Sequence, residues 1–194
     1  MLLQLHKRKM AIAGTVMSGY LIFHMLTNLS FFNQAYFTDF YTWYNAGLRW
    51  PVLVIMAIAI AIHVKAAIKI RKVNAKARTV QYEKHDKFHV PAPLVTMSII
   101  FLLAFMVIHI IQTLLFDSNN VYMELQQLFQ STFMVLFYLA GLFVMMMHLT
   151  HSLANVLQTL GKTSKTCHTL VWAGVLLLVG GFAIIPVSIL WATL

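Results

Sequence analysis

Four long apolar segments of this chain carry histidine, one in each of the first three and two (His148 and His151) in the fourth, and that arrangement restricts the fold more tightly than any other feature. His24, His63, His109 and His148 lie in the runs 11–32, 52–70, 94–116 and 132–153, while a fifth run, 170–191, has none. Runs of about 20 apolar residues are long enough to cross a bilayer core. An ionisable side chain inside such a run is costly and faces the interior of a bundle. The most informative stretch is FMVLFYLAGLFVMMMHLTHSLANVLQTLG, residues 133–161, which meets His148 and then turns polar at Thr150, His151, Asn155 and Gln158, extending the fourth helix to about residue 160.

Composition supports lipid as the solvent. The 194 residues are 60% hydrophobic and 10% charged, with a mean hydropathy of +0.79. A water-soluble domain cannot hide that much apolar surface. The first run is too long, and too rich in Thr, Ser and His, for a cleaved signal peptide. The expected fold is therefore an all-α membrane protein of one domain, residues 1–194, with five transmembrane helices.

The net charge of +9 is a matter of topology. Of 14 Lys and Arg, only Arg49 lies between the first and second runs or between the third and fourth. The others lie before the first run, around the second connection (Lys65 to Lys87) or in the fourth connection (Lys162, Lys165), whereas Asp39, Asp117 and Glu124 lie on the opposite side. The positive-inside rule then puts the N-terminus in the cytoplasm and the C-terminus outside. This distribution is not a nucleic-acid footprint. One cysteine, Cys167, cannot form an intrachain disulfide or hold an iron–sulfur cluster. Neither a CxxCH motif nor a Gly-rich phosphate loop occurs.

Topology converts position into depth, at about 1.5 Å per residue. His24 and His109 fall on outward-going helices, about 20 Å from the inner boundary, and His63 and His148 on returning helices, about 10 Å from it. The histidines thus form two layers, each with two rings from different helices. Two facing imidazoles at one depth suit a six-coordinate b-type haem, whose porphyrin supplies the other four ligands. Zinc or non-haem iron needs further protein ligands, and no carboxylate or cysteine lies within the runs. The plain alternative is that each histidine bonds to a neighbouring helix. His6, His85, His89 and His168 lie outside the runs and read as surface residues. His151, one turn from His148, is open to three roles: the true ligand, a propionate or quinone contact, or an interfacial polar residue.

The segments SGYLIFHMLTN, AIHVKAAIKIRK, VIHIIQ and FYLAGLFVMMMHLTHSLANVLQTLG resemble the single-chain, five-helix dihaem cytochrome b subunits that anchor succinate dehydrogenases and fumarate reductases. The resemblance covers essentially the whole chain. It implies two b haems, the outer held by His24 and His109 and the inner by His63 and His148. It also implies a quinone, menaquinone ahead of ubiquinone, and flavoprotein and iron–sulfur partners on the cytoplasmic face of a bacterial inner membrane. A higher oligomer of such a complex is possible in that family. Some fumarate-reducing members have a glutamate two residues before the helix-four ligand; here that residue is Met146, so no carboxylate relay is implied.

Lys65, Lys69 and Arg71 are candidate propionate partners for the inner haem and Arg49 for the outer, against the alternative of snorkelling to lipid phosphates. Gln112, Gln126, Gln130 and Trp50 could line an outer quinone pocket, and His151, Asn155 and Gln158 an inner one; polar helix ends look the same. The expected function is quinone-linked electron transfer in a respiratory chain. The alternatives are a dihaem cytochrome b of another dehydrogenase and a haem-free transporter or scaffold.

Overall fold

The computed structural model describes residues 2–77, 92–159 and 164–193. Its described residues form seven α-helices and one 3₁₀ turn: α1 Leu2–Leu29, the turn Ser30–Phe32, α2 Gln34–Gly47, α3 Arg49–Ala77, α4 Ala92–Leu115, α5 Val121–Gln130, α6 Thr132–Thr159 and α7 Lys165–Thr193. Five are long and apolar enough to cross a membrane: Leu3–Phe32, Arg49–Lys76, Thr96–Leu115, Thr132–Leu157 and Lys165–Thr193. Large apolar side chains cover their outer faces; Leu115 is 79% exposed and Leu177 72%. Apolar surface on that scale needs lipid around it. The chain is a multi-pass membrane protein.

Short polar side chains set several helix starts. Asn33 accepts from the Tyr36 amide through Oδ1 at 3.2 Å and caps α2. Ser131 accepts from the Met134 amide at 3.5 Å and Ser164 from the Cys167 amide at 3.2 Å, capping α6 and α7. In the turn before α5, Asp117 accepts from the Asn119 amide and the Asn120 side chain, and these donors hold its carboxyl below the ordinary range.

One helix, α2, occupies a connection whose composition reads only as an aromatic interfacial belt. Its signal is spacing: Phe37 is buried and Tyr41 and Tyr44 are half-buried at i, i+4 and i+7, while Tyr36 and Trp43 between them are exposed. The amphipathic approach to the fourth span is α5.

The contacts fall into two compact units, residues 1–23 with 44–90 and residues 24–43 with 91–194. In the first, Ala13 of α1 and Ala59 and Ala66 of α3 are buried. Gly14 has room on its inner side only up to the His63 ring, which a β-carbon there would meet at 3.6 Å. In the second, α6 packs along α7, α4 lies on α6, and α5 packs against both α6 and α7. Its core is aromatic at one end: Phe31, Phe37, Phe105, Phe129 and Tyr138 join Val135, Ile185 and Ile189. Phe31 stacks on Tyr122 with ring centres 4.6 Å apart, and Tyr41 donates to Asn28 Oδ1 at 2.7 Å.

Two glycines make the close approaches in this unit. A β-carbon on Gly141 would sit 2.5 Å from the Phe105 ring, and one on Gly181 would sit 2.6 Å from Met25 Sδ. Helices in lipid gain no hydrophobic energy by associating, so fit of this kind carries the packing. Gly180, by contrast, faces open space. We predict that Gly141→Ala destabilises the protein by about 1–3 kcal/mol, as overpacking does, whereas Gly180→Ala is neutral or stabilising. Thermal unfolding in detergent compares the two, and equal melting temperatures would contradict the packing described here.

Candidate haem-binding site

His24 lies near the C-terminal end of α1 and His109 near that of α4, both half-buried. Their rings come together, with centres 5.9 Å apart and planes inclined by 58°. A metal–imidazole bond of about 2 Å on each side, plus about 1 Å from nitrogen to ring centre, would put two coaxial ligand rings about 6 Å apart. The observed centre-to-centre separation is close to that value. Packing fixes both side chains. Phe182 of α7 lies against His24 at 5.6 Å, and the neighbouring Met25 seats on Gly181. Phe105, one turn before His109, lies parallel to it within 16° and fills the notch at Gly141.

Hydrogen bonds set the tautomer of His109. Tyr138 of α6 donates its hydroxyl proton to Gln112 Oε1 at 2.8 Å, so its oxygen is left to accept from His109 Nδ1 at 3.2 Å. The Gln112 amide nitrogen faces Met134 Sδ at 3.5 Å, which keeps the carbonyl oxygen towards Tyr138. A ring protonated at Nδ1 carries its lone pair on Nε2, the nitrogen that can ligate.

His63, in the first unit, reaches the same state by another route. Its Nδ1 is 3.2 Å from the Met10 carbonyl oxygen of α1. A carbonyl can only accept, so Nδ1 holds the proton and Nε2 the lone pair. His148 belongs to the second unit and is half-buried. His151, one turn on, is exposed, and its Nε2 is 3.1 Å from the Asn155 amide nitrogen. With that amide as donor, the lone pair a metal would need is already engaged.

Among the described residues, no three His, Cys, Asp or Glu side chains converge as a metal cluster would require. His24 and His109 come together as a pair of rings. No buried side-chain polar atom among the described residues lacks a partner.

The other candidate residues separate. Gln126 and Gln130 of α5 line one hollow of about 330 Å³ with Phe31, Ser188, Ile189, Ala192 and Thr193. The hollow is open rather than enclosed. Ser188 and Thr193 complete the hollow, yet α7 gives no polar run to mark them. Gln112 lies elsewhere, in the Tyr138 network. Trp50 is in the first unit, with the Arg49 guanidinium carbon 5.8 Å from its ring centre. Lys65, Lys69 and Arg71 are all exposed. At about 100° per residue, Lys65 and Lys69 stand roughly 200° and 240° around α3 from His63, and Arg71 about 80°. Arg71 is thus nearest the His63 face. The Gln158 side chain lies outside the described residues, as do His85, His89 and Lys162.

No family model, no curated protein and no solved structure matches the chain.

Proposed function

We propose that this chain is the dihaem cytochrome b anchor of a succinate:quinone oxidoreductase, carrying electrons between an iron–sulfur subunit and a membrane quinone. The observation that carries the reading is the His24–His109 pair, two rings from separate helices held 5.9 Å apart. Haem, when bound, supplies one-electron chemistry at a potential set by its axial ligands and their surroundings. His24 and His109 would hold the outer group, and His63 and His148 the inner one. Arg71 is the best placed inner cation for a propionate, and Arg49 is the outer cation.

In this reading the N-terminus is cytoplasmic, and the flavoprotein and iron–sulfur partners dock on the basic cytoplasmic side. The quinone occupies the hollow at the outer end of α5 and α7. Gln126 and Gln130 can donate amide protons to its carbonyl oxygens, while Phe31 and Ile189 form apolar walls; the Ser188 and Thr193 hydroxyls at its edge donate to the Ile185 and Leu190 carbonyls. None of the five spans contains Asp or Glu. Protons for a reduced quinone therefore come from the water at the mouth of that hollow. The reading places the complex in a bacterial inner membrane, with menaquinone ahead of ubiquinone as its partner.

Reduced-minus-oxidised spectra of the purified membrane protein test the haem content directly. Absence of an α-band would leave a haem-free transporter or scaffold. We expect His24→Ala and His109→Ala to empty the same site and leave the second haem in place. Loss of different haems in the two variants would overturn the pairing. His151→Ala should keep both haems six-coordinate; loss of one there, with His148→Ala tolerated, would exchange the two assignments. Ser188→Leu should fill the hollow and slow quinone reduction at least tenfold while haem reduction by the partner subunits continues. Unchanged quinone kinetics in that variant would move the quinone site elsewhere.

A further inference from the structure

We infer that Tyr138, with Gln112 behind it, is a positioning residue that fixes the ligating nitrogen of His109 and lowers the potential of the outer haem. The inference rests on the reading of His109 as an axial ligand. Its basis is the direction of three polar contacts. The Tyr138 hydroxyl gives its proton to Gln112 Oε1 at 2.8 Å, the amide nitrogen of Gln112 faces Met134 Sδ at 3.5 Å, and Tyr138 oxygen lies 3.2 Å from His109 Nδ1. Each contact constrains the next, so the phenol oxygen can serve His109 only as an acceptor.

Gln112 alone would satisfy the hydroxyl proton of a buried tyrosine. The additional contact with His109 gives the side chain a second consequence. A ligating imidazole that donates its other N–H becomes more basic, and a more basic ligand favours the ferric over the ferrous state. His109 and Gln112 lie three residues apart on α4, so one face of that helix presents both ends of the relay to Tyr138. His63 is anchored instead to the Met10 backbone carbonyl, which no side-chain substitution removes. The two layers should therefore respond differently to the loss of a tyrosine hydroxyl.

The experiment is a spectroscopic redox titration of the whole purified complex, comparing wild type with Tyr138→Phe. His63→Ala identifies which couple belongs to His24 and His109, because it lacks the other. We expect the outer couple of Tyr138→Phe to move to higher potential by at least the equivalent of a tenfold change in ferric-over-ferrous preference, about 59 mV for one electron. The inner couple should not move, and both haems should remain six-coordinate. Equal displacement of both couples, or of neither, would overturn the inference. If Tyr138→Phe does not assemble, Gln112→Leu decides. There the phenol proton has lost its acceptor and can turn to Nδ1, forcing the proton of His109 onto Nε2. Retention of the outer haem should fall about tenfold or more, and wild-type retention and potential in that variant would overturn the inference. A wild-type complex without two haem couples would defeat the ligand assignment, and this inference with it. Two wild-type couples with no response to either variant would defeat the inference alone.

Discussion

The N–H of an imidazole in hydrocarbon needs an acceptor, because an unsatisfied polar group there costs several kcal/mol. Much of the geometry near the histidines follows from that requirement. His63 meets it by placing Nδ1 against a backbone carbonyl of α1, at a crossing where Gly14 presents no side chain. His109 meets it through a tyrosine on another helix and a glutamine on its own. In each case one nitrogen is fixed as a donor and the lone pair is directed to the other. The same bonds that make the histidine tolerable leave its second ring nitrogen as an acceptor.

Close packing then determines which rings can meet. Between helices in lipid, association depends on van der Waals fit and small residues. Gly141 lets Phe105 settle into α6, and Phe105 is the ring lying parallel to His109. Gly181 does the same for Met25, the residue after His24. The two notches lie beside the two rings of the pair, so helix packing and site geometry share the same side chains. A change at either glycine should be felt at the histidines.

The aromatic end of the second unit has a related role. Phe31 and Tyr122 stack, Phe37 is fully buried, and Tyr41 ties α2 to Asn28. These contacts hold α5 in place, and with it the hollow shared by Gln126, Gln130 and the end of α7. The hollow thus arises where short amphipathic helices meet long apolar ones. The long helices alone supply neither the donors nor the recess.

The number of spans and the membrane class were legible in the sequence, because bilayer thickness imposes a length and an apolar composition that few other constraints imitate; the helices themselves run further, the first span from Leu3 and the second from Arg49 to Lys76. The same arithmetic put His24 and His109 in one layer, and their rings lie 5.9 Å apart. Helix α2 was legible in principle from the spacing of Phe37, Tyr41 and Tyr44, but its aromatic content also fits an interfacial belt. Tertiary structure alone decided which polar residues share a site. Gln112 and Gln126 are both amides near helix ends, yet one supports Tyr138 and the other lines the hollow. Tyr138 itself carries no sequence signal, since a tyrosine in an apolar helix is ordinary. Its role follows from a hydroxyl on α6 lying within bonding distance of two residues on α4, and linear spacing does not encode contacts between helices.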